Sequence, residues 1–99
     1  ATWDNYLLAQ CYQTSEERAK VIDVLEPLQH KKFVWWNLHL GLAYDSLDKF
    51  DIAKKHLDFV KKFLKEDHLS KIKFALTKQN QHLNTYPYIT KTLKKYGFE

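Results

Sequence analysis

The stretch from Val34 to Asp67 constrains this chain more than any other, because it sets a glycine in the middle of an apolar helical run. Leu40, Gly41 and Tyr44 stand at L-G-x2-Y spacing, Phe50 follows a short polar turn, and Ala53 and Leu57 stand four apart on the next helical run. A glycine inside a helix costs about 1 kcal/mol against alanine, so its presence argues for a place where a larger side chain would meet a neighbour. Two antiparallel helices that approach closely provide that place. Gly41 is then the small contact on the first helix and Ala53 the matching small contact on the second, with Tyr44 and Leu57 filling the space beside them.

These residues resemble the tetratricopeptide repeat, whose pattern is W-x2-L-G-x2-Y, then A-x3-F, then P, in a unit of about 34 residues. The match covers this stretch well and the flanks loosely. Two positions depart from the pattern: Asn37 stands where the family has Trp, and Lys65 where it has its closing Pro. Trp36, one residue earlier, is placed to take over part of the missing Trp's role. The resemblance implies an all-α fold, a stack of about five to six antiparallel helices forming a fragment of a right-handed α-solenoid, that works by binding a partner.

Size and composition agree with one such domain. At 99 residues and 44% apolar content the chain can bury a modest core, and two Gly with two Pro are too few for the turns of an all-β fold. Cys11 is the only cysteine, so no internal disulfide marks an oxidising compartment, which favours the cytoplasm. It reads as a small core residue. No apolar run approaches the ~20 residues of a transmembrane helix, and no signal peptide is evident. A chain beginning at Ala1 fits a processed mature form or a fragment of a larger protein.

Charge is uneven: residues 1–30 carry two basic and five acidic groups, residues 31–99 fourteen basic and seven acidic, a net −3 followed by +7. Fifteen of the sixteen basic residues are Lys, with Arg18 the exception. Readers of nucleic acid lean on Arg for bidentate contacts, so this bias makes nucleic acid an unlikely partner. The alternative reading is a basic helical module for nucleic acid or an anionic membrane surface.

Taken in order, Trp3, Tyr6, Leu7, Leu8, Cys11 and Tyr12 fit a first helix. Thr14 with Glu17 forms a capping box that opens a second through Ala19, Val21, Ile22, Val24 and Leu25, ended or kinked by Pro27. A shift of 32 residues lays this hairpin over the central one, placing Leu8 on Leu40, Ala9 on Gly41, Tyr12 on Tyr44, Leu25 on Leu57 and Leu28 on Val60. Asp48 is expected to cap the fourth helix, through Ile52, Ala53, Leu57, Val60, Phe63 and Leu64. Its other faces hold Lys54, Lys55, Lys61, Lys62 and Lys65, read as a solvated surface. Asp67 or Ser70 opens a fifth helix with Leu69, Ile72, Leu76 and Leu83, Phe74 and Ala75 widening its apolar face. Pro87 suits the first turn of a sixth, with Tyr88, Ile89, Leu93 and Tyr96 along one side and Gly97 as its stop. Residues 1–99 thus form one domain: a degenerate repeat over about 2–30, a second over about 34–67, and an atypical capping pair over about 68–97.

Motifs for chemistry are absent. His30, His39, His56, His68 and His82 stand at no recognised metal-ligand spacing, so neither a metal site nor a cofactor is expected. No nucleophile elbow, P-loop or dinucleotide fingerprint occurs, and an enzyme is not expected. The resemblance implies instead a concave groove lined by the first helix of each pair. Carried over position by position, the groove residues are Trp3, Tyr6, Gln10 and Gln13 in the first repeat and Trp35, Leu38, Leu42 and Asp45 in the second. Such a surface suits the apolar side of a helix or an extended peptide. It implies a protein or peptide partner, as for a small secretion or assembly chaperone. Members that clamp a C-terminal carboxylate use Lys and Asn where this chain has Tyr6 and Gln10, so that specificity is not expected.

Overall fold

The computed structural model describes residues 17–28, 33–78 and 86–99. Among them the chain is all-α, with no strand. Helix α1 is Arg18–Leu25, followed by a 3-10 turn at Glu26–Leu28; α2 is Val34–Ser46, α3 Phe50–Leu64, α4 His68–Lys78 and α5 Tyr86–Lys94. The expected helix around Trp3 to Tyr12 lies outside the described residues, as do Thr14 and Leu83.

Helix α2 is the centre of the molecule. Val34 and every residue from Trp36 to Asp45 are buried, as befits a helix apolar on all sides. Its two flanks feed two clusters. Val34, Leu38 and Leu42, four residues apart, meet Leu57, Val60 and Leu64 of α3, Ile72 and Leu76 of α4, Ile89 and Leu93 of α5, and Phe98. On the other flank Trp36, Leu40, Ala43 and Tyr44 meet Val21 and Leu25 of α1 and Ala53 of α3.

Gly41 lies at a close helix crossing. A Cβ built there would stand 2.5 Å from both Cγ and Cδ2 of Leu57. The partner across the crossing is therefore Leu57, where the sequence pointed to Ala53. A branched side chain reaches over the glycine, and Ala53 belongs to the Trp36 cluster instead.

The helix ends show which local signals the chain uses. Pro27 stands in the 3-10 turn that follows α1, and the carbonyl of Leu25, the last residue of that helix, accepts from the Trp36 indole Nε1–H at 3.1 Å. Glu17 occupies the N-cap position of α1 without a side-chain cap; its carboxylate accepts from Lys20 Nζ at 2.9 Å. Asp48 does not cap α3. It takes a left-handed conformation, φ 60°, in the turn after α2, which Asp tolerates better than most residues, and Lys49 precedes the helix. Of the two starts expected for α4, Asp67 is the one used: its carbonyl accepts from the Lys71 N–H at 3.0 Å, and Ser70 lies inside the helix.

Helix α5 closes as expected at Gly97, φ 84°. The Gly97 N–H bonds back to the Lys94 carbonyl at 3.2 Å and the Phe98 N–H to the Leu93 carbonyl at 3.3 Å, the paired bonds of a Schellman motif. The apolar contact that accompanies such a motif is Phe98 in the same cluster as Leu93. The tail then locks to α3 and α4, through Lys61 Nζ to the Tyr96 carbonyl at 2.6 Å and the Leu69 N–H to the Glu99 carbonyl at 2.7 Å.

Candidate partner-binding surface

Of the eight residues expected to line a groove, Trp3, Tyr6, Gln10 and Gln13 lie outside the described residues. Leu38 and Leu42 do not face an opening. Both are 0% exposed, because Ile72, Leu76, Ile89 and Leu93 of the last two helices fill the space before them. Asp45 is also taken up inside the fold: it is 6% exposed, its Oδ1 accepts from the Tyr96 hydroxyl at 2.6 Å, and Lys95 Nζ stands 3.0 Å away. Burial, and then the hydrogen bond to Asp45, push the Tyr96 pKa upward, so the phenol stays protonated as the donor. Trp35 alone of the described four keeps an open side.

That side borders a groove of about 710 Å³. Trp35 and Leu64 form one wall, and Asp67 with a single stripe of α4 forms the other: Ser70, Lys71, Phe74, Ala75 and Lys78. Their spacing of three and four residues puts them on one helix face, while Ile72 and Leu76 turn the opposite face into the core. Phe74 is 63% exposed. Lys78 Nζ lies 4.8 Å from its ring centroid, within cation–π range. Lys71 Nζ donates to the Leu64 carbonyl at 2.6 Å, which caps the end of α3. The sequence placed Phe74 and Ala75 on an enlarged apolar face of this helix. The structure separates them from it, and the signal was present: Phe74 follows Ile72 by two residues, about 200° around a helix.

A second polar cluster lies where the repeat pattern has Trp. Asn37 Nδ2–H donates to the Phe33 carbonyl at 3.0 Å, which leaves Asn37 Oδ1 to accept from His56 Nδ1–H at 2.9 Å. His56 stacks on Tyr44 with ring centroids 5.7 Å apart and planes 3° from parallel. The Tyr44 hydroxyl donates to Glu26 Oε1 at 2.7 Å, and His56 Nε2 stands 3.8 Å from the same oxygen. Burial pushes the Tyr44 pKa up to about 12, helped by Glu26. Burial also lowers His56, opposed by Glu26 and aided by Lys55. The cluster ties α2 and α3 to the turn that ends α1. Among the described residues no three His, Cys, Asp or Glu side chains gather to hold a metal ion. Nor is any described helix long and apolar enough to cross a membrane.

Compared with known proteins, the chain matches no family model, no curated protein and no solved structure.

Proposed function

We propose that this chain is a helical binding module, built on a tetratricopeptide-like hairpin of α2 and α3, that recognises a segment of another protein along the outward face of α4. The observation that carries the reading is the groove itself. An aromatic ring as exposed as Phe74, facing a wall of half-buried Trp35 and Leu64, is the composition of an interface anchor flanked by polar groups.

The basic alternative is less well supported. Several lysines are paired with carboxylates: Lys20 with Glu17, Lys54 and Lys61 with Asp58, and Lys95 with Asp45. On the first half of α3, Asp51 and Asp58 flank Lys54 and Lys55, so that patch has mixed sign instead of the single-sign stripe that phosphate binding favours.

Peptides selected by display against the full chain, then mapped by hydrogen exchange, test the reading. Slowed exchange along α4 and at the start of α2 is expected. Protection confined to α1 or to the outer face of α3 would contradict it.

A further inference from the structure

We infer that the groove along α4 takes an amphipathic helix of a partner protein whose apolar stripe is flanked by carboxylates. This rests on reading that groove as the binding face, and adds the partner's secondary structure and charge.

Shape is the first argument. From Asp67 to Lys78 the stripe runs straight for about three helical turns, roughly 16 Å. Ser70 and Ala75 are small, so a second backbone can approach to the roughly 8–10 Å separation of packed helices, with Phe74 as the ridge that enters its side-chain groove. An extended peptide that binds by adding a strand needs a sheet edge. No strand exists among the described residues to offer one.

Charge is the second argument. Lys71 and Lys78 border the groove, and the one carboxylate on it, Asp67, stands at the far end from Lys78. Lys71 uses one donor on the Leu64 carbonyl but keeps its charge. Lys78, lying over the Phe74 ring, is placed where the flank of a docked helix would run. Carboxylates on the partner are therefore matched near Lys78, and repelled near Asp67. The same asymmetry gives the partner helix a direction. Beyond residue 30 the chain carries fourteen basic against seven acidic residues, which steers an acidic partner toward this part of the chain.

The test is fluorescence anisotropy with the full chain and two labelled helix-forming peptides of about 14 residues, enough to span the stripe. Both carry Leu on one face; one has Glu and the other Lys on the flanks. At low salt the Glu peptide is expected to bind at least about tenfold more tightly than its Lys counterpart. Lys78→Glu, with an unchanged melting temperature, should narrow or reverse that ratio, and Phe74→Ala should weaken the Glu peptide by about tenfold or more. Equal binding of the two peptides, still lost in Phe74→Ala, would overturn the charge assignment while the groove stands. Binding indifferent to Phe74→Ala would overturn the groove as well. Failure of both peptides to bind at ~1 mM would overturn the inference. So would self-association abolished by Phe74→Ala, or binding to anionic phospholipid vesicles in place of the peptide.

Discussion

Helices α2 and α4 each carry a large aromatic side chain, Trp36 and Phe74, yet one is enclosed and the other left half open. In α2 the Trp36 ring is 2% exposed, and its indole N–H completes the end of α1 through the Leu25 carbonyl. In α4 the Phe74 ring is 63% exposed, with only a lysine chain over its face. The difference lies in what surrounds each helix. α2 has neighbours on both flanks, α1 and α3 on one and α3, α4 and α5 on the other. α4 has the core on one flank only. The enclosed ring holds the fold together, and the exposed one contributes little to it.

The largest effect that sharpens this contrast is on the enclosed side. Trp36→Ala should cost about 3–5 kcal/mol, the loss for a buried aromatic, and it also strips the carbonyl at the end of α1 of its donor. Trp35→Ala should cost clearly less, since that ring is half-buried. Urea denaturation of both variants checks the order, and a reversed order would mean that α2 is rotated about its axis.

The next effect is a titration inside the enclosed helix. His39 is 0% exposed, and burial lowers its pKa from 6.5 to about 4. Between these values the unfolded chain binds a proton that the folded chain refuses, so stability falls as pH drops through the window. The full loss is about 3 kcal/mol below pH 4, with about 2 kcal/mol of it gone by pH 5. Denaturation from about pH 7 to about pH 5 should show that slope, and His39→Leu should flatten it. An equal slope in the variant would mean that His39 is not the group responsible.

A smaller loss is expected at the helix crossing. Gly41→Leu forces a side chain into the space held by Leu57, an overpacking worth about 1–3 kcal/mol. An unchanged melting temperature would show that α2 and α3 do not meet there.

Much of this was legible in the sequence where local chemistry decides. Gly41 marked the crossing, Pro27 the end of α1, Gly97 the end of α5, and the apolar residues of α2 its central place. The candidate site was less legible, because it depends on which helices cover which. Leu38 and Leu42 look the same in a groove wall as in a core; only the placement of Ile72 and Leu93 decides between them. Asp45 has no sequence mark of its bond to Tyr96, fifty-one positions away. Phe74 was identified as apolar, but its direction needed the register of α4 against Ile72.

The smallest expected effect on stability is also the most direct test, because the account rests on Phe74 serving a partner and not the fold. Phe74→Ala should change unfolding free energy by no more than about 0.5 kcal/mol while weakening an acidic helical peptide by the 2 kcal/mol or so of an aromatic anchor. Parallel denaturation and peptide titration of the same variant give both numbers. A variant that unfolds as readily as Trp36→Ala, or one that binds the peptide as well as the parent chain does, would contradict the account.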